Sequence, residues 1–413
     1  MTFVPIRNDN AYIAAGMQSV QGTPVAPDHF FRWLDGSGLE PDLKTEELWE
    51  GDGSRNLGQV FKNGQKWKVK LKLAPRPDEL AYLEAMAAGT SPDTLTSALV
   101  TTTTAGTTAN TSTTVPLTSV AGLGSSGTVT MVLEKGTANE EFVVFNLPPS
   151  SLTLTVASTY NSGKFLLTHA SGVAIQTAAN HVIVPKTDGK YSSWEVALGS
   201  LSGSAGDTFR LTDCKVSTIK RDGEHGKPLY LELEVIGIAC VIQNSPTTVV
   251  LENRQIFLYQ QASFTLNGST SGDAKGIDKF SIDQKNMLDD TMQTTAVTLA
   301  ALVYGNYELK LTASIIMQTW ALAKLALLGS TTGTTDAQAI GTGAFIVTFT
   351  QADSFHTVTY NIPFMAYVAG KLGAMKKDGK HYELPVEGTA TSNAGANANL
   401  LTTTINNLTN TAY

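Results

Sequence analysis

KWKVKLKLAPRPDELAYLEAMAAGT, residues 66–90, changes period halfway along. Lys66, Lys68, Lys70 and Lys72 alternate with Trp67, Val69, Leu71 and Leu73, the period of a β-strand with one buried and one solvated face. Pro75 and Pro77 then break the ladder, Asp78 is placed to cap a helix, Leu80 and Leu83 share one stripe, and Gly89 stands where a helix would end. A strand feeding one short helix is predicted. Its lysine face raises three possibilities: nucleic acid, a membrane surface, or a solvated sheet face neutralised by its neighbours.

The pattern returns. NYELKLTASIIMQTWALAKLALLGS, residues 306–330, aligns with it without a gap, Tyr307 against Trp67, Leu309 against Val69, Leu311 against Leu71 and Gly329 against Gly89. Upstream of each copy, LEPDLKTEELWEGDGSRNLG and AKGIDKFSIDQKNMLDDTMQ read as a strand followed by a long polar excursion. Downstream, Phe209–Gly237 matches Phe345–Gly370, each reading as two alternating strands with a connection. The chain is therefore expected to be mainly β, with two tandem β-sandwich or barrel units, each carrying one lateral helix. Between helix and hairpin the first copy holds a long extra segment. It opens on the Thr-rich TTTTAGTTANTSTT and runs through GTVTMVLEKGTANEEFVVFN to HVIVP, enough for a small inserted β domain. The expected domains are residues 1–100 with 186–255, the insert at 101–185, and 256–413.

At 413 residues the chain can build cores without disulfides, and its two cysteines, Cys214 and Cys240, are expected to be small buried hydrophobes. Charged residues make up 16% and the net charge is −7, a poor match to a nucleic-acid-binding protein. Glu232 and Glu234 alternate with Leu231, Leu233 and Val235; beside the lysine strand they would form cross-strand pairs, and Glu308 with Lys310 mixes charge in the second copy. MTFVPIRNDN lacks the pattern of a secretory signal, and the apolar Ile315–Gly329 is too short to cross a bilayer, so a soluble protein without membrane insertion is expected. No nucleophile elbow, phosphate loop or metal-ligand spacing occurs, and His169 and His181, in Ser, Gly and Ala-rich sequence, are expected at the surface. Neither catalysis nor a cofactor or metal is expected.

IAAGMQSVQGTPVAPDHFFRWLDG, above all SVQGTPVAP, resembles the N-terminal arm of tail tube proteins of long-tailed, non-contractile bacteriophages. The order strand, long loop, return strand, lateral helix, hairpin and C-terminal TATSNAGANANLLTTTINNLTN is similar to theirs over both copies. The resemblance implies a structural virion protein of the duplicated type, assembled in the host cytoplasm. Its sheets would join around a ring, and rings would stack into a hollow tail tube that conducts DNA from capsid to host. A chain of two copies would form trimeric, pseudo-hexameric rings. The implied partners are further copies of itself, a tape measure protein and tail terminator or distal tail proteins, with DNA passing transiently and without specific binding. Lys66, Lys68, Lys70, Lys72, Glu232, Glu234, Glu308 and Lys310 would form a lumen-facing wall of mixed charge. The excursions, with Glu47, Glu50, Asp52, Asp289 and Asp290, would reach a neighbouring ring, and the terminal arms would lie across adjacent subunits. In the insert, GTVTMVLEKGTANEEFVVFN followed by HASGVAI resembles a small β domain of phage tail and virion proteins, although ASTYNSGKFLLT between them holds no Arg-Gly pair. An outward-facing decoration is implied.

Two other classes are compatible with the sequence: a virion or cell-surface β-sandwich adhesin that binds glycans on exposed aromatics, and the tube of a contractile injection machine, whose subunits resemble single copies. Of Trp33, Trp49, Trp67, Trp194 and Trp320, the apolar settings of Trp67 and Trp320 predict core, which argues against sugar platforms.

Overall fold

The computed structural model describes residues 11–49, 59–197, 208–243, 247–291, 298–335, 340–370, 382–392 and 399–413, and the chain is mainly β. The first unit opens with β1 (Tyr12–Met17), β2 (His29–Phe31), β3 (Gly38–Leu48), β4 (Gln59–Leu73), α1 (Pro77–Ala88) and β5 (Asp93–Ser97). The insert holds β6 (Thr101–Thr103), β7 (Thr114–Pro116), β8 (Gly127–Leu133), β9 (Glu141–Ser150), β10 (Thr153–Val156) and β11 (Ala174–Thr177). The first unit resumes with β12 (Ala179–Ile183), β13 (Ser192–Ala197), β14 (Thr208–Glu224), β15 (Tyr230–Gly237) and β16 (Ala239–Gln243). The second unit runs β17 (Ala262–Leu266), β18 (Ile277–Lys285), β19 (Leu288–Asp289), β20 (Val303–Tyr304), β21 (Glu308–Ile316), α2 (Ala321–Leu328), β22 (Thr342–Thr350), β23 (Thr357–Gly370), β24 (Glu383–Ala390) and β25 (Thr402–Asn407).

Pairing defines the repeat. One layer has the antiparallel order β3, β4, β15, β14, β18, β21, β24, β23, so it runs unbroken through the joint of β14 with β18, where the first unit meets the second. The other layer is β2, β1, β13, β14, β16 in the first unit and β17, β22, β23, β25 in the second, extended by β12 and β5 of the first. The long strands β14 and β23 belong to both layers. Each has a register irregularity where it bends, between Val216 and Thr218 and between Tyr367 and Ala369, the usual means of turning a strand from one sheet into another. By neighbours, then, β4, α1, β13, β14, β15 and β16 correspond to β21, α2, β22, β23, β24 and β25. This corrects the downstream alignment: the partner of the β14–β15 hairpin is β23 with β24, not β22 with β23, because strand period alone cannot distinguish adjacent hairpins.

The core between the layers is common to both units and includes Leu71, Ile219, Phe280, Leu311 and Tyr360. Helix α1 lies inside it and not on its flank: every residue from Glu79 to Ala88 is buried, with β14 on one side and β12 and β25 on the other. Its alanines, Ala81, Ala85, Ala87 and Ala88, let the strands approach. Asp78 is not its cap. The helix starts at Pro77, with the Arg76 N–H donating to Glu79 Oε2 (3.1 Å), while Glu252 accepts from the N–H groups of Asp78 and Glu79 (3.3 and 3.0 Å). Gly89 does end it, at φ 116°, where a Cβ would fall 2.3 Å from the Asp188 carbonyl oxygen.

The insert closes on itself, β6, β11, β8, β9, β10, β7, with a Thr104–Leu117 bridge between its ends and a separate core of Val115, Met131, Phe145, Leu154 and Phe165. Its last strand ends at Thr177, so the boundary at 185 is corrected: the HVIVP strand, β12, pairs with β5 and β25 in the body. Phe142 of the insert meets Phe355 of the second unit at 5.2 Å, beside Leu408.

His169 and His181 are fully buried, contrary to expectation. His169 contacts Glu141 (2.8 Å) and Glu134 (3.1 Å); His181 contacts Asp93 (2.6 Å) and the Thr409 carbonyl (2.8 Å). Burial works against their charged forms, but these partners outweigh it and raise both pKa values. The C-terminal arm is held by its own chain: β25 lies between β23 and β12, and the Tyr413 N–H donates to Asp93 (3.1 Å). Cys214 is buried and Cys240 half-buried. Trp67 packs partly against the core, whereas Trp320 is 57% exposed, which corrects its assignment to the core.

Candidate functional site: a sheet face of alternating charge

The lysine strand takes its form from its other side. Val69, Leu71 and Leu73 are buried, so the intervening lysines of β4 must face away from the core. On that face the register places Lys72, Glu232, Lys220, Asp283 and Lys310 in one row across β4, β15, β14, β18 and β21, with the sign changing at every strand. The neighbouring row holds Lys70, Glu234, Thr218, Lys285 and Glu308. Both rows cross from one unit to the other without a break.

The charges meet as ion pairs. Lys72 lies 2.7 Å from Glu232, Lys68 4.0 Å from Glu234, Lys70 2.9 Å from Glu40, Lys220 2.8 Å from Asp222 and Lys310 2.5 Å from Glu308. Hydrogen bonds to Glu232, Glu40 and Glu308 hold Lys72, Lys70 and Lys310 above the ordinary lysine range, and the Lys310 bond holds Glu308 below the ordinary carboxylate range. These solvated pairs add little stability. Their effect is on the field: a cation with an anion one strand away, or two residues along the same strand, presents a dipole, which falls off faster with distance than an uncompensated charge.

A groove of about 1080 Å³ opens on part of this face, lined among others by Lys72, Lys220, Asp222, Lys279, Thr312 and Glu387. Among the described residues no group of three or more His, Cys, Asp or Glu side chains is placed to hold a metal ion.

Of the residues singled out from sequence, Lys66, Lys68, Lys70, Lys72, Glu232, Glu234, Glu308 and Lys310 are brought onto this one face. Lys220, Asp222, Asp283 and Lys285, which fill its centre, were missed; they alternate with Ile219, Arg221, Ile282 and Gln284, so the period-two signal was present. The excursion residues separate. Glu47 and Asp289 are exposed, whereas Glu50 and Asp52 lie outside the described residues. Asp290 does not point away from the body: it pairs with Lys66, whose other partner is Asp42 at 3.6 Å. Leu299 and Leu302 of the same excursion are buried against Ile236 and Ile238, so this part of the second unit folds over the first.

Comparison with known proteins finds no family model that matches the chain and no curated protein similar to it.

Proposed function

We propose that the chain is the tail tube subunit of a long-tailed, non-contractile bacteriophage, joining copies of itself into rings that stack as a DNA conduit. The observation that carries this reading is the joint between β14 and β18, through which two like units share one continuous sheet. β3 holds in the first unit the place that β18 holds in the second, yet among the described residues β3 pairs only with β4. A strand with one side open is a template for another strand. Repeating the internal joint between chains gives a head-to-tail contact that closes into a ring when the rotation permits, with three chains supplying six units. The groove face then becomes the wall of the lumen, and its compensated charges suit the passage of a polyanion that must not be held. A tape measure protein inside the tube and terminator or distal tail proteins at its ends are the partners of this reading, and the virion tail its location.

Electron microscopy and native mass spectrometry of the purified chain test it. Rings or tubes with three chains per layer are expected; a monodisperse monomer at all concentrations overturns the reading. Trp49 and Trp320, 65% and 57% exposed, favour one second reading, a glycan-binding adhesin. Monomers that bind glycans would select it.

A further inference from the structure

The two helices of the repeat are covered unequally. α1 packs on β14 and is closed over from the other side by β25 of the second unit, with Tyr413 edge-on to Tyr82 at 6.2 Å. The strand surface it meets is buried, Thr403 at 2% and Ile405 at 0%. α2 packs on β23, the counterpart of β14, and buries Leu322, Ala323 and Leu325. Its far side is open and apolar: Trp320 is 57% exposed, Leu327 46% and Ile340 61%.

The repeat names the missing cover. What β25 does for α1, its counterpart β16 would do for α2. Within one chain β16 cannot, because it is paired to β14 in the first unit, whereas α2 lies on the second. The matching face of β16 is itself uncovered: Ile242, opposite Phe209 of β14 as Ile405 is opposite Val358 of β23, is 59% exposed. Each chain thus carries two apolar patches, and each patch lacks what the other supplies.

We infer that α2 of one chain docks on β16 of a second copy, repeating between chains the α1–β25 contact made within each. The inference rests on the head-to-tail reading above and adds to it an outer, apolar joint beside the strand joint at the lumen. A second copy is the fitting occupant because the complementary surface lies on the same chain and continues an interface already formed inside it. A two-fold pairing of α2 with α2 would leave β16 bare, whereas a heterologous contact covers both patches at once.

The test uses full-length protein. Leu327→Glu and Ile242→Glu alter exposed positions, so each variant should keep the wild-type circular dichroism melt while the concentration needed for assembly in sedimentation rises by roughly tenfold or more. In a Cys240→Ser background, a chain with Leu327→Cys and a chain with Ile242→Cys should form a disulfide-linked pair when mixed, and neither should do so alone. Charged variants that assemble like the wild type overturn the inference and leave the tube reading standing, as does self-linkage of the Leu327→Cys chain. A wild type that never assembles removes both.

Discussion

Arg221 lies on the core side of β14, 1% exposed, with its guanidinium donating to Glu84 of α1 at 2.7 and 2.5 Å and to Gln284 of β18 at 2.9 Å. Tyr360 of β23 donates to the same carboxylate at 2.9 Å, so two residues of each unit complete one buried network. Ion pairs as deep as this are costly to desolvate and add little net stability, but breaking one strands a charge. Arg221→Ala is therefore expected to cost about 3–5 kcal/mol in denaturant unfolding, because Glu84 remains behind. Tyr360→Phe should cost about 1 kcal/mol, the value of one hydrogen bond. Replacing Arg221 and Glu84 together by apolar residues of similar volume should restore most of the loss. An Arg221→Ala chain as stable as the wild type would show that the network contributes nothing. Arg221 was not legible beforehand: it sits at an inward position in KVSTIKRDGE, and only the facing helix explains the charge there.

β4 was legible because both sides of the strand write themselves into the sequence, apolar inward and lysine outward. Its partners were partly legible: Glu232 and Glu234 had the right spacing, whereas Glu40 and Asp290 are matched to Lys70 and Lys66 only by folding. The excursion and β12 were misplaced for a related reason, since polar or short stretches carry too little periodicity to say which sheet receives them. α1 was misplaced because a short helix rich in alanine and apolar residues reads alike whether one side or all sides are packed. The charge rows themselves make a prediction about nucleic acid. If compensation is what keeps the face from holding phosphate, duplex DNA should pass over immobilised wild-type protein without retention at physiological salt. Glu232→Lys with Glu234→Lys turns the β4–β15 side of the face into a lysine field and should retain it. Elution should then depend on salt more steeply, the slope of log affinity against log salt growing by about two, one for each added contact. Retention by the wild type, or none by the double variant, would show that pairing of charges does not govern the face.

The repeat suggested two domains, each with its own core, but the units are joined more closely than a tandem arrangement requires. The sheet crosses between them at β14 and β18, the core mixes Leu71 and Ile219 with Phe280 and Tyr360, and β25 of the second unit is held against β12 of the first. The insert adds a clasp, with Phe142 and Val132 against Phe355 and Leu408. Periodicity reports that a face is buried and not what buries it, so a shared core and two separate cores look the same in sequence. They differ when the chain is cut. Residues 1–255 alone would leave α1 without β25 and Arg221 without Gln284 and Tyr360, and residues 256–413 alone would bare the edge of β18. Exposed edges and half-covered cores favour aggregation over independent folding. Separate expression of the halves should therefore give insoluble or dye-binding, non-cooperative material, while co-expression should give a complex that melts in one transition. Two halves that each unfold cooperatively on their own would return the chain to the tandem arrangement, with the joint at β14 and β18 reduced to a contact between finished domains.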